Sequence, residues 1–499
     1  MPLAEGNRWT LANAEGVEMQ LTAQKVERIG PHLRVRLNVS APFLQTTLIV
    51  RSYDGKGLWL EGTGSGENWN RYPEPAPFLP EAEVGVSNDW DGGSSTLLSS
   101  DATVAAWDAE YTGVRLYEVR FGEESPLHWF LKPGLGFVQF GLGAGAFTLR
   151  WATLNDLEPE VQSDAALACP LVGIEPNPIR DFSAPSRKAT LESTVDLGTR
   201  FNMISVAWGE VEPKPGQYAL EEIEEYVNWA EEFGLSASLT IKTLDTTGAS
   251  LPPDLARRAW NDSEVIERFR ALLAAVSEKL SDRIRWINLG NEVDVPLASN
   301  PEALAQFKEF YLAGKQKLGE LRPELPVGLV FTYDSYRTNT AVFRALEDGV
   351  DHVAFTYYGV NPARAAGAPV HRHISNLPFD FADMLDAAAG RPLIFTELGR
   401  ASSEQVGSSP REQAEFYGAV LDSIRTSGGR VAAASFSFYS DMPPLTAFLL
   451  STVYGPQDAK TFMRWFGSLG VVDRKSAAKP AWEAYRSAAT AMADGEGCR

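Results

Sequence analysis

The stretch IRWINLGNEVDV, residues 284–295, runs apolar through Ile284, Trp286, Ile287 and Leu289, then turns to Asn291, Glu292 and Asp294. PLIFTELG, residues 392–399, has the same grammar, with Leu393, Ile394 and Phe395 followed by Glu397. Near-continuous apolar runs of this length mark strands buried on both faces, which occur in parallel sheets. Six further runs of this kind surround them. They are LVGIE (171–175), FNMISVAW (201–208), LSASLTI (235–241), VGLVFTY (327–333), HVAFTYY (352–358) and VAAASFSFY (431–439). Helical spacing fills the gaps. Leu220, Ile223, Val227 and Ala230 share one face before Gly234, and Val265, Phe269, Leu272, Val276 and Leu280 share another after Asn261, Asp262 and Ser263. Asn300 and Pro301 open a further helix as N-cap and first residue. Eight strand–helix units over residues 166–499 close most simply as a (β/α)₈ TIM barrel of the α/β class. A doubly wound open sheet is the alternative, but no Gly-rich phosphate loop follows any of the strands.

Residues 1–165 read differently. HLRVRLNVS alternates apolar and polar residues, and TTLIVRSYDGKGLWLEG holds two short runs around an Asp54-Gly55 turn signal. VRLYEVRFG and GFVQFGLGAGAFTLRW continue the pattern without sustained helical periodicity. A β-sandwich is expected here, joined to the barrel by the acidic stretch LNDLEPEVQSD. Its tryptophans, including Trp59, Trp69, Trp90, Trp107 and Trp129, suit either a carbohydrate platform or sandwich packing, and packing is preferred.

The chain has 499 residues and 45 Lys+Arg against 65 Asp+Glu, a net charge of −20. Such a surface repels nucleic acid and anionic membranes, so neither is an expected partner. No apolar run approaches the length of a membrane span. The first residues lack the apolar core of a signal peptide, which leaves a cytoplasmic protein or a processed secreted form. The two cysteines, Cys169 and Cys498, make no disulfide scaffold, and two free thiols are the default expectation.

Catalytic side chains of such barrels project from the C-terminal ends of the strands. Glu292 ends strand four and Glu397 ends strand seven, each directly after an apolar run where a charge needs a reason. Two opposed carboxylates at a barrel mouth are the equipment of glycoside cleavage: one protonated to release the leaving group, one ionised to attack. To serve as the acid, Glu292 needs a pKa above the ~4.3 of free Glu, near about 6.

These motifs resemble clan A of the glycoside hydrolases. The clan places an Asn-Glu pair at the end of strand four, matching Asn291-Glu292, and a nucleophilic Glu at the end of strand seven, matching Glu397. The resemblance implies a retaining β-glycosidase acting on β-linked oligo- or polysaccharides without a cofactor, with Asn291 on the sugar 2-hydroxyl. WGEVEPKPGQY, Trp208 to Tyr218, is similar to a segment after strand two of bacterial β-galactosidases, where Glu212 holds the loop. FTYYGVNP resembles strand six of endo-galactanases and mannanases, so Tyr357 or Tyr358 supports the nucleophile. The tryptophan that floors the sugar site in many clan members is missing after strand eight. Phe438 or Tyr439 is left for that role, with Trp465 beyond them as a further candidate. The cellulase-type Arg on strand two is replaced near Met203.

Trp208 suits either sugar stacking or barrel packing. Glu175, Asn177 and Arg180 after strand one, Lys242 after strand three, and Asp334, Tyr336 and Arg337 after strand five can line subsites or make loop contacts. His371 and His373 have zinc-like spacing but lack further ligands, so no metal is called for. Two other readings compete with the hydrolase: a carbohydrate-binding barrel without turnover, and a metal-dependent barrel hydrolase. Retention of both glutamates argues against the first. The absence of a histidine cluster at the strand ends argues against the second.

Overall fold

A computed structural model describes residues 3–42, 44–53, 57–65, 68–90, 92–106, 109–121, 125–142, 145–155, 169–178, 183–280, 282–360, 370–455 and 458–493. The Asp54-Gly55 turn, most of the 154–164 linker, Trp107, Arg180 and Cys498 lie outside them. The chain divides into two units, Met1–Gln162 and Ser163–Arg499.

In the first unit twelve strands form one antiparallel sheet in which chain neighbours pair, except Asn68–Pro80 and Ser87–Trp90, which are its two end strands, and Arg8–Ala12 pairs with the last strand, Phe147–Thr153. The sheet turns back on itself. Phe78, on the strand Asn68–Pro80, meets Trp129 of Leu127–Lys132 edge-on at 5.4 Å, and Ser95 Oγ donates to Phe78 O at 2.8 Å. Trp9 and Trp129 pack with Phe137 inside this core, while Trp59 meets Tyr53 and Trp90 meets Phe121.

The second unit is built on eight parallel strands: β1 Leu171–Ile174, β2 Phe201–Ala207, β3 Ser236–Lys242, β4 Ile284–Asn288, β5 Val327–Thr332, β6 His352–Tyr357, β7 Leu393–Leu398 and β8 Val431–Phe436. Their order around the sheet is β1-β8-β7-β6-β5-β4-β3-β2, so consecutive strands are neighbours and β1 pairs with β8. This nearly closed barrel replaces the open-sheet alternative. At the remaining seam, Arg200 N donates to Val172 O at 2.8 Å. A Cβ added to Gly173 would lie 1.9 Å from Phe201 O, so only glycine permits this approach.

The helices follow their local signals. Glu221–Glu232 ends before Gly234, which takes φ +69. Asp262 accepts Glu264 N at 2.9 Å to cap Ser263–Leu280, and Asn300 accepts Ala303 N at 3.0 Å to cap Pro301–Leu321. Cys169 is disulfide-bonded, which corrects the expectation of free thiols; the one other cysteine in the sequence is Cys498. No described helix is long and apolar enough to cross a membrane.

Candidate active site

Strand β4 ends at Asn288, yet the chain stays between its neighbours for several residues more. Leu289 N donates to Gly328 O (3.0 Å), Asn291 N to Leu244 O (2.9 Å) and Val293 N to Val330 O (3.1 Å). Glu292 is thereby held at the mouth with φ +45, the left-handed region that a side chain rarely adopts. Glu397 reaches the same mouth by another device. Phe395 pairs with Phe355, but Thr356 then pairs with Glu397, so Thr396 is bulged out of register. Such a bulge re-aims the residue beside it.

The two carboxyls have different surroundings. Glu292 accepts hydrogen bonds from the hydroxyls of Thr246 and Thr356, the latter at 2.7 Å. Burial, reinforced by the charge of Glu397, raises it to about 8, against the pull of both threonine bonds. This exceeds the value near 6 expected from sequence. Glu397 Oε2 accepts from Tyr358 OH at 2.7 Å. Burial raises Glu397 too, but the Lys242 ammonium and the Tyr358 bond oppose it. Asn291 Nδ2 donates to Asp245 Oδ1 at 2.9 Å, and Lys242 Nζ lies 3.3 Å from Asp245 Oδ2. Burial works to raise Asp245, but Lys242 and the bond from Asn291 hold it below its ordinary value.

The tyrosine pair separates. Tyr358 contacts Glu397, whereas Tyr357 is buried and donates to Asp380 Oδ2 at 2.9 Å. Tyr357 is therefore a packing and network residue, a correction to its place among the candidate sugar contacts. Trp208 needs the same correction. It is fully buried, its ring 5.9 Å from Phe310 and its indole N–H bonded to Glu212 at 2.8 Å, so no face is left for a sugar. Glu212 also accepts from Gly216 N and Arg268, and so ties the loop together. Trp465 and Phe438 are buried in a satellite cluster, with Trp465 edge-on to Tyr358 at 5.0 Å. Trp465 thus backs the tyrosine that meets Glu397, and its ring is not free to stack on a ligand. Tyr439 packs on Trp482 at 5.9 Å.

His371 accepts from Ala401 N through Nε2 (2.9 Å), which leaves Nδ1 to donate to Tyr358 O (2.9 Å). It latches the ends of β6 and β7 together. His373 caps the turn Ile374–Asn376. Asp334 and Arg337 join Arg372 and Asp380 in a buried polar network. Among the described residues no cluster suited to a metal is present.

One aromatic at the mouth was missed in the sequence. Tyr454 ends the helix Pro444–Tyr454 and is 38% exposed. Burial of its hydroxyl end, with the charges of Asp245, Glu397, Glu292 and Glu175 around it, raises its pKa. No strand-end rule reaches it, because it lies 18 residues beyond the last residue of β8, Phe436.

The fold and mouth define a (β/α)₈ barrel with a carboxylate cluster at the C-terminal ends of its strands. Solved structures share that barrel. An exo-beta-1,4-mannosidase from Opitutaceae bacterium strain TAV5 superposes with a TM-score of 0.51 at 19% identity, covering 67% of this chain and 64% of that one. The match thus spans less than two thirds of the mannosidase. A GH5_18 protein from Bifidobacterium longum subsp. longum gives 0.51 at 16% identity over 66% and 80% of the chains. A GH5_18 variant from Streptomyces cattleya in complex with Manb1-4GlcNAc gives 0.50 at 17% over 64% and 80%. At these identities the likeness is one of fold. No family model matches the chain. No curated protein matches it either.

Proposed function

We propose that this protein is a retaining β-glycoside hydrolase with Glu292 as acid/base and Glu397 as nucleophile. One observation carries the reading: the two half-buried carboxyls differ in company, for the charge of Glu397 helps raise Glu292, whereas only Glu397 has a cation, Lys242, among the influences that hold it ionised. The first proton taken up by the pair therefore rests on Glu292. That is the division of labour glycoside cleavage needs.

Glu397 attacks the anomeric carbon while the bond to the leaving oxygen breaks and Glu292 gives that oxygen its proton. The glycosyl ester on Glu397 is then opened by water, whose proton returns to Glu292. Tyr358 and Lys242 hold the negative charge of Glu397 before attack and after release. Asn291, oriented by Asp245, faces the sugar 2-hydroxyl. Tyr454 offers an aromatic edge at the entrance. The amino-terminal unit is read as a β-sandwich, because its single sheet encloses one core between its folded halves.

β-Mannosides head the substrate panel, since the similarly folded mannosidase and the Manb1-4GlcNAc complex come from proteins that act on or hold them. The test is proton NMR of the first product from an aryl β-glycoside, taken before mutarotation. Retained β configuration, with a 2-fluoro glycoside trapped on Glu397, supports the assignment. An α first product, or trapping at another residue, defeats it. A panel with no turnover at all returns the chain to the non-catalytic binding barrel.

A further inference from the structure

The barrel's one weak seam opens beside the nucleophile. Strands β1 and β2 touch at Gly173 and Phe201, and a cavity of about 270 Å³ opens beside them, walled also by Arg187 and Leu191 of the helix Ala184–Val195 and Tyr226 and Trp229 of Glu221–Glu232. Glu175, Asn177, Asn202, Met203, Lys242 and Glu397 line it. The backbone of Glu175 is fixed on both sides: its N–H donates to Phe436 O at 2.8 Å, and its carbonyl accepts from Tyr439 N at 2.9 Å.

Three other polar groups there already have partners. Lys242 pairs with Asp245, and Glu397 accepts from Tyr358. Asn177 bonds the Ser440 backbone through both ends of its amide, at 2.7 and 2.9 Å. Among the described residues nothing hydrogen-bonds or pairs with the Glu175 carboxyl. The Glu175 side chain is half-buried and borders the open cavity, so a ligand entering there meets a carboxyl whose acceptor sites no described residue occupies. A carboxylate has acceptor sites for two neighbouring O–H groups at once.

We propose that Glu175 is a specificity-determining residue, whose carboxyl binds adjacent hydroxyls of the glycosyl unit that Glu397 attacks. The inference rests on the hydrolase reading and extends it to how the sugar is chosen. Glu397, Lys242 and Arg187 are the charged groups facing Glu175. Burial, then the charge of Glu397, raises Glu175 to about 7, with Lys242 and Arg187 pulling the other way. Below that pH it donates as well as accepts; above it, it only accepts.

The experiment compares wild type, Glu175→Ala and Glu175→Gln on the best aryl β-glycoside found and on its monodeoxy analogues. Folding of each variant is checked by circular dichroism. On the parent glycoside, kcat/KM is expected to fall about 100-fold in Glu175→Ala and about 10-fold in Glu175→Gln. On the analogue lacking a contacted hydroxyl, both variants should fall less than about threefold from wild type. Glu175→Gln keeps the side chain's size, so it decides the matter if the alanine variant does not fold. Equal losses on every analogue would reduce Glu175 to a structural role and overturn the inference. Wild type inert on all glycosides would instead sink the hydrolase reading itself.

Discussion

Glu61, fully buried in the amino-terminal sheet, and Glu292, half-buried at the barrel mouth, have carboxyls driven in opposite directions. Glu61 is fully buried among Arg34, Arg51 and Arg71, which come from three other strands of the same sheet. Arg51 Nε lies 2.6 Å and Arg34 Nε 3.0 Å from its Oε2, and Arg71 Nε lies 3.6 Å from Oε1. Burial works to raise Glu61, but the three guanidinium groups hold it well below the ordinary range. Glu292 has two threonine hydroxyls and a second carboxylate as its company, and burial raises it to about 8. Burial alone does not set a carboxyl's charge; the neighbours that share its pocket do. A charge surrounded by cations is structural, whereas a carboxyl without one keeps a proton that it can give away.

The contrast can be broken first at the chemistry. Glu397→Gln is expected to lower kcat by about 10⁴-fold or more, since no other carboxylate takes its place in the attack. Steady-state kinetics beside a thermal melt separates this from misfolding. Glu292→Ala should cost about 10³-fold on substrates with poor leaving groups and far less on activated aryl glycosides. Azide should restore turnover of the latter; equal losses on both substrate classes without rescue would remove Glu292 from the acid/base role.

Stability sharpens the same contrast. Glu61→Gln leaves three guanidinium groups facing a neutral amide and should destabilise its unit by about 3–5 kcal/mol in urea unfolding. Because the Glu61 pKa is lowered on folding, its contribution is present above the unfolded value near ~4.3 and lost as pH falls towards the folded one. Glu292 behaves oppositely. Its pKa is raised on folding, so the folded state is favoured while the proton is held and loses stability as pH rises through about 8. Glu292→Gln should therefore stabilise the chain by about 1–2 kcal/mol at alkaline pH and by less at neutral pH. In the wild type the alkaline limb of the activity profile should fall near pH 8, and it should vanish for Glu292→Ala on activated substrates. A profile with the same alkaline limb in both proteins would assign that limb elsewhere.

The smallest effect is expected at Trp208. Trp208→Phe removes the indole bond to Glu212 from an otherwise apolar contact with Phe269 and Phe310, a loss of about 1–2 kcal/mol. KM for any glycoside should stay within about twofold, because the ring has no exposed face. A tenfold rise in KM would return Trp208 to the sugar site.

The barrel was legible because its signals are local. Strands such as LIFTEL at β7 and HVAFTY at β6 are buried on both faces, and that burial shows as unbroken apolar runs. Asn300 and Pro301 mark a helix start by chemistry confined to a few residues. Asn291, Glu292 and Glu397 stood out because polar groups directly after such runs sit at the rim of a parallel barrel.

What depended on distant parts of the chain was not legible. Spacing alone could not choose between Tyr357 and Tyr358, because the choice depends on which phenol meets Glu397 and which meets Asp380. The sequence leaves Trp208 undecided between stacking and packing, and Phe310, a hundred residues away, decides it. That no described residue pairs with the Glu175 carboxyl, and that Tyr454 lies near the mouth carboxylates, arises only when strand ends far apart in sequence converge. Local sequence determines which backbone segments form, through burial pattern and capping. Which charges and rings share a pocket is decided by tertiary structure, because desolvation and Coulomb interactions depend on distance in space.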